Sequence, residues 1–339
     1  MRRPSSAGSS PLRSCIVTAR RPLAVFILSH PWLQDMVVKA APSDFDVQFL
    51  DGADDEAMRS ILPQADFLMA TQLSAKWVPF LMRCKLVQHQ GVGYDGIDAG
   101  ALAAAEIPLA VTPEGTTIGV AEHTILLILA LSKQLVLVHE SLRRGEYDQI
   151  GWRANSHFFF GKTLGIIGFG RIGRRVAHLA GSFDVRLLYY DAVRAAPAVE
   201  QAEGVQYLPF DELLPQADIV TVHVPIAPDT RGLFGAREFA RMKPGALFIN
   251  TSRGDTYDMD ALYQALSTGE LGGAGLDVFN PEPPPPDHPI RRLPNVICTP
   301  HMATGTVEAH LQKVQAQFDN FRRVLHGETP HNLVSIAPP

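Results

Sequence analysis

The stretch GIIGFGRIGRRVA, residues 165–177, places Gly168, Gly170 and Gly173 in G-x-G-x-x-G spacing. Alone the spacing is weak, because a glycine-rich βα turn that binds nothing can share it. Here the apolar run TLGIIG precedes it, a helical pattern follows it, and Asp191 stands about twenty residues on, after VRLLYY. Gly168 permits a tight turn, Gly170 lets the backbone approach a pyrophosphate, and Gly173 lets helix and strand pack closely. The pyrophosphate then rests on the helix N-terminus, where unpaired N–H groups and the dipole favour an anion. Asp191 accepts hydrogen bonds from the adenosine ribose and repels a 2′-phosphate, favouring NAD over NADP, while Arg194 nearby softens that repulsion.

Working outward, the rest of the chain repeats the same alternation. After the turn, VRLLYYD, DIVTVHV, ALFIN, GAGLDVF and NVICT read as strands separated by helical segments. Before it, LAVFIL (23–28), VQFLD (47–51), DFLMAT (66–71) and LVQHQ (86–90) read as strands, with WLQDMVVKA, DEAMRSIL and KWVPFLMRC as helices between them. Strands alternating with helices imply βαβ units and parallel sheets, hence an α/β fold. One unbroken helix is expected from about Val120 to Arg144, free of Gly and Pro, and another from Thr306 to Leu325. Both lie where the chain passes between the two blocks. The tail TPHNLVSIAPP is expected to return to the first block. LPQAD occurs twice, at 62–66 and 214–218, each time before a strand; five residues alone say little.

Composition excludes several classes. The 339 residues are 46% apolar with a net charge of -5, so no basic footprint for nucleic acid exists. Cys15, Cys84 and Cys298 lie far apart, which argues against a disulfide framework or zinc ribbon and suits a reducing, cytoplasmic setting. The longest apolar run, TILLILALSKQLVLV (124–138), is interrupted by Lys133 and Gln134 and reads as a buried helix rather than a membrane span. Residues 1–22 are Arg- and Ser-rich without acids and read as a disordered tail, with a transit peptide as the alternative.

Three side chains follow successive strands of the second block at one sheet end. Arg253 in NTSRGD follows ALFIN, and its planar fork of donors matches a carboxylate; a surface Arg in a polar turn is the equal alternative. Glu282 in GLDVFNPEP stands among prolines, where a single Glu is ordinarily a solvated charge. His301 in VICTPHMATGT follows Pro300, which stiffens the backbone before it. Together they read differently: a carboxylate beside an imidazole fixes its tautomer and stabilises the imidazolium.

HQGVGYDGID, VAEHTILLILAL, GKTLGIIGFGRIG, HVPIAPDTRGL, MKPGALFINTSRG, GLDVFNPEP and TPHMA, in this order, resemble the D-isomer-specific 2-hydroxyacid dehydrogenases from about residue 45 to 335. The resemblance implies two Rossmann-like or flavodoxin-like domains with the active site in the cleft between them. A discontinuous substrate domain would take 23–116 and 303–339, and an NAD domain 117–302. It implies His301 as acid/base, Glu282 as its partner, Arg253 on the substrate carboxylate and reacting oxygen, and backbone N–H groups at Val92 and Gly93 on the carboxylate. Arg171, Ile172, Asp191, Val224, Thr251, Ser252, Arg253, Asp277 and His301 match cofactor-contact positions, beside the glycines 168, 170 and 173. A homodimer through the helix near 120–144 is implied as well, and no metal is called for.

The departures are Thr116, where the family often has Asn, and Asp255, Thr256 and Tyr257, where small or apolar residues are usual. These leave the substrate open among glyoxylate, hydroxypyruvate, pyruvate, a phosphorylated hydroxyacid and an aryl acid. A dinucleotide-sensing corepressor of the same fold is the alternative function. A formate dehydrogenase is disfavoured because that branch has Gln at the position of Glu282. Of the other histidines, His223 is expected to shape the cofactor loop, His89, His123 and His178 to be structural, and His288 to be solvated.

Overall fold

The computed structural model describes residues 20–335; most of the expected N-terminal tail, residues 1–19, lies outside them. The chain begins with β1 (Leu23–Ile27), α1 (Pro31–Ala40), β2 (Asp46–Leu50), α2 (Asp55–Ile61), β3 (Phe67–Ala70), β4 (Leu86–His89), α3 (Ala99–Ala104) and β5 (Leu109–Ala110). These strands form one parallel sheet in the order β2-β1-β3-β4-β5, the flavodoxin-like winding. Two helices follow, α4 (Thr116–Ser132) and α5 (Leu135–Arg143).

The second sheet is wound from β6 (Thr163–Ile167), α6 (Arg171–Gly181), β7 (Arg186–Tyr190), α7 (Pro197–Glu203), β8 (Val205–Tyr207), α8 (Phe210–Leu213), β9 (Ile219–Val222), α9 (Ala236–Arg241), β10 (Leu247–Asn250), α10 (Met259–Ser267), β11 (Gly273–Leu276) and β12 (Val296–Cys298). Its order, β12-β11-β10-β9-β6-β7-β8, is the Rossmann winding extended by one strand. Helix α11 (Val307–Leu325) returns to the first sheet.

Burial explains why these runs are strands. β3, β4, β9 and β10 are almost wholly buried, as parallel strands covered on both faces must be. α6 buries Gly173, Val176, Ala177 and Ala180, a three-and-four spacing that seats one stripe on the sheet. α11 packs Val314, Phe318 and Phe321 on Ala24, Phe26, Phe67 and Met69. The Phe67 and Phe321 rings stack at 4.6 Å; each such buried ring contributes about 1.5–3 kcal/mol.

The repeated LPQAD is a structural repeat. Both copies form a short 3-10 turn, Leu62–Gln64 and Leu214–Gln216. The Asp that follows then ties down the first strand of its own sheet. Asp66 Oδ2 accepts the Leu23 N–H at 2.8 Å, and Asp218 Oδ2 accepts the Thr163 N–H at 2.8 Å.

Four expectations need correction or completion. The helix expected over 120–144 is two helices bent by 60°, with Gln134 in the left-handed region at φ 52. No Gly or Pro breaks it. The connecting segment does, because the His157 N–H donates to Ser132 O at 2.8 Å and the Gln134 side chain to Asn155 O at 3.1 Å. KWVPFLMRC forms only a 3-10 turn, Ala75–Phe80, around Pro79. β5 and β8, of two and three residues, are too short for alternation to mark. The tail does return: Leu333 bridges Ala110, and the Val334 N–H donates to Leu109 O at 2.8 Å.

Among the described residues no single helix is long and apolar enough to cross a membrane.

Candidate active site

Five adjacent strands deliver the candidate residues at their carboxyl ends. In sheet order, Asp277 follows β11, Thr251 to Arg253 follow β10, Val224 lies just past β9, Gly168 follows β6 and Asp191 follows β7. The order reverses between β9 and β6, which is where open α/β sheets bind ligands.

The glycine turn fits a dinucleotide. Gly168 has φ +94, and an added Cβ would lie 2.7 Å from the His223 carbonyl carbon. At Gly173 a Cβ would collide with the Gly168 carbonyl oxygen. At Gly170 a Cβ would meet nothing within 4 Å, so the approach to the α6 N-terminus is open. No side chain caps that end, leaving its first N–H groups for an anion. Arg171 opens the helix exposed, and Ile172 packs into the core beneath.

Asp191 braces the same turn. Its Oδ2 accepts the Phe169 N–H at 2.7 Å and its Oδ1 the Val193 N–H at 3.1 Å. Arg194 is engaged elsewhere, with Nε and Nη2 donating to Glu200 at 2.8 and 3.0 Å. The guanidinium pulls the Glu200 carboxyl down to about 2. His223 follows β9 with its Nε2 3.0 Å from Thr221 Oγ, and burial pulls the imidazole down to about 3, so it stays neutral.

The Arg, Glu and His come together. His301 Nδ1 lies 2.8 Å from Glu282 Oε2, and Glu282 Oε1 accepts the Phe279 N–H at 2.8 Å. Nδ1 therefore faces the carboxylate, and Nε2 is the nitrogen left for a ligand. Arg253 reaches across to the loop after β4. Its Nε donates to Asp95 at 2.9 Å, Nη2 to Gly93 O at 3.2 Å and Nη1 to Ser252 O at 2.8 Å. Two of its five N–H donors remain free. Val92, beside Gly93, is 41% exposed on the same loop.

Glu282 is held below its ordinary range. Burial alone raises it, but the hydrogen bonds from His301 and the Phe279 N–H, and the charges of His301 and Arg253, outweigh that. A depressed carboxyl stabilises the fold above its unfolded pKa, and that contribution is lost as pH falls through the lower folded value. From about pH 7 to about pH 3, across the carboxylate range, wild type is expected to lose more Tm than Glu282→Gln. Equal losses in parallel thermal melts would count against the pair.

Asp277 is fully buried beneath the histidine loop. Its carboxylate accepts Thr299 Oγ–H at 2.5 Å and the N–H groups of Met302 and Ala303 at 2.9 and 2.8 Å. His123 on α4 completes this support, with Nε2 2.9 Å from Thr299 Oγ. His89 accepts the Gly91 N–H at 2.9 Å and so shapes the Gly93 loop. His178 lies on the α6 surface, 3.8 Å from Glu203. His288 is not solvated: its side chain is 11% exposed, faces Asp260 at 3.1 Å and accepts the Ile290 N–H. The turn after the prolines folds over it.

The unusual Asp255-Thr256-Tyr257 also has a structural reason. Asp255 accepts from Asn280 at 3.0 Å and pairs with Arg231. Thr256 Oγ–H donates to Arg253 O at 2.7 Å, and Tyr257 donates to Val278 O at 3.0 Å. All three brace the loops carrying Arg253 and Glu282. The sequence marks these three as departures but not as braces, and it does not mark Asn250 or Asp95, because polar residues in a turn look solvated until their partners are known. It also missed a cavity of about 520 Å³ bordered by Ser29, Thr71, Gln72, Lys76 and Gly96, next to the Gly93 loop.

Two parallel-sheet domains, one with a glycine-rich turn open to a dinucleotide, define an oxidoreductase scaffold. The family model described as D-isomer specific 2-hydroxyacid dehydrogenase, NAD binding domain, matches residues 125–303. The chain is 36% identical over 280 residues to a glyoxylate reductase of Korarchaeum cryptofilum, covering 80% of this chain and 84% of that one. It is 32% identical over 318 residues to a D-3-phosphoglycerate dehydrogenase of Archaeoglobus fulgidus, covering 92% of this chain but only 60% of that longer relative. The solved structure of an Escherichia coli D-lactate dehydrogenase superposes with a TM-score of 0.79 at 25% identity, covering 93% of this chain and 100% of that one. The chain belongs to the D-isomer-specific 2-hydroxyacid dehydrogenases, NAD-dependent oxidoreductases acting on the CH–OH group of hydroxy acids.

Proposed function

We propose that this enzyme interconverts a small 2-oxoacid and its D-2-hydroxy acid, with His301 as acid/base. The observation that carries the reading is His301 Nδ1 paired with Glu282 at 2.8 Å, with Arg253 directed at the Gly93 loop. Nicotinamide, when bound, supplies or receives the hydride. His301 Nε2 donates a proton to the ketone oxygen in reduction and takes the hydroxyl proton in oxidation. Glu282 holds the tautomer and balances the imidazolium. The free Arg253 N–H donors and the backbone at Val92 and Gly93 hold the carboxylate, and Arg253 also stabilises charge on the reacting oxygen. Segments 23–116 and 303–339 would supply the substrate side and 117–302 the NAD side, whose closure excludes water.

The first test is NADH oxidation, followed by absorbance, with purified protein and a panel of 2-oxoacids. Turnover with one acid supports the reading. No turnover with tight NADH binding would shift it to a dinucleotide-sensing protein.

Asp191 is the proposed NAD selector, with Thr251, Ser252, Val224, Arg171, Ile172 and Asp277 around the cofactor. Asp191→Ala is expected to lower the NADH-to-NADPH ratio of kcat/KM by about tenfold or more, the loss of one charge-assisted contact. An unaltered ratio would remove Asp191 from that role.

Exposed Leu126, Leu135, Val136, Leu142 and Phe158 on and beyond α4–α5 support a homodimer through this face. A cytoplasmic setting is proposed from the sparse cysteines.

A further inference from the structure

Helix α4 carries the chain from the first sheet into the second, and two consecutive residues on it reach two loops of the site. Thr124 is fully buried. Its Oγ–H donates to Val120 O at 2.8 Å, and the same oxygen lies 3.1 Å from Thr251 Oγ, two residues before Arg253. His123 reaches Thr299, two residues before His301, with Nε2 2.9 Å from Thr299 Oγ. One turn earlier the helix backbone lies directly on the loop after His301: a Cβ at Gly119 would lie 2.9 Å from Ala303 O.

The donors and acceptors fix the His123 tautomer. Asp277 is fully buried, and its carboxylate only accepts. Thr299 gives its single hydroxyl hydrogen to Asp277 Oδ1 at 2.5 Å. Its Oγ therefore meets His123 as an acceptor, and Nε2 carries the hydrogen. The same nitrogen lies 3.7 Å from Asp277 Oδ1.

Asp277 in turn holds three consecutive N–H groups. His301 donates to its backbone oxygen at 2.8 Å, Met302 to Oδ1 at 2.9 Å and Ala303 to Oδ2 at 2.8 Å. These bonds keep His301 at φ 50, a conformation unusual for any residue but glycine. The direction of the imidazole thus depends on how Asp277 is oriented, and Thr299 and His123 orient it from behind.

We infer that His123 is a positioning residue: its Nε2–H, acting through Thr299 and Asp277, holds the backbone of His301 so that the imidazole meets the substrate oxygen. The kinetic consequence rests on the acid/base reading of His301; the consequence for the loop does not.

Hydrogen exchange and steady-state kinetics of the full chain test this with two variants. His123→Leu keeps bulk and removes the donor, whereas the amide N–H of His123→Gln stands in for Nε2–H. In His123→Leu without added ligand, amide exchange over residues 301–303 is expected to quicken by about tenfold or more. Its kcat is expected to fall by about tenfold or more, the cost of a misplaced acid/base, with both KM values within about threefold of wild type. His123→Gln should restore exchange and kcat to within about threefold of wild type. A wild-type kcat in His123→Leu, unchanged exchange there, or equal losses in both variants overturns the inference; equal losses would assign the effect to the shape of the ring and not to its N–H. If His123→Leu does not fold, His123→Asn, whose shorter amide does not reach Thr299, takes its place. Absence of turnover in wild type defeats the acid/base reading and leaves exchange to judge His123.

Discussion

His301→Ala is expected to lower kcat by roughly 10²–10⁴, the usual worth of a positioned acid/base. That corresponds to about 2.7–5.5 kcal/mol of barrier. The structure separates this loss from misfolding. His301 sits in the left-handed region at φ 50, and its backbone is held independently of its ring. Its N–H donates to Asp277 O at 2.8 Å, and the Asp277 carboxylate holds Met302 and Ala303. Alanine at such a φ costs about 1–2 kcal/mol. His301→Asn avoids that cost, because Asn tolerates the left-handed region. Both variants should bind NADH within about twofold of wild type and both should lose kcat. Turnover of either within about threefold of wild type would remove His301 from the mechanism.

The alternating runs made the two-sheet plan legible, because fully buried parallel strands leave continuous apolar stretches. The glycine turn between β6 and α6, with Asp191 after β7, was legible for the same local reason. Features that depend on distant partners were not legible. Gln134 breaks a helix only because residues 155–157 take up the exposed ends. His288 is mostly covered because Asp260 and the turn after the prolines close on it. The twin LPQAD segments gain meaning only once Asp66 and Asp218 are seen holding the first strand of each sheet. Likewise Lys313 looks like an ordinary helix-surface cation in sequence, and only the packing of α11 reveals it as buried.

Arg253→Lys is expected to lower kcat/KM by roughly 10²–10³, with KM raised and kcat reduced together. Charge is preserved in this variant, so the effect isolates the shape of the guanidinium. Three of its nitrogens are fixed by three different partners, Asp95, Gly93 O and Ser252 O. That anchoring spans both sheets and orients the two remaining N–H groups. A lysine ammonium is a point charge on a flexible stem and cannot hold Asp95 and a substrate carboxylate in one plane. Gly93 belongs to the same arrangement, since a Cβ there would collide with the guanidinium. If Arg253 binds the carboxylate in both ground and transition states and meets the reacting oxygen only in the latter, KM and kcat must both respond. A change in KM alone would confine Arg253 to carboxylate binding. Wild-type values for both would mean that the Arg253–Asp95 pair merely joins the two domains.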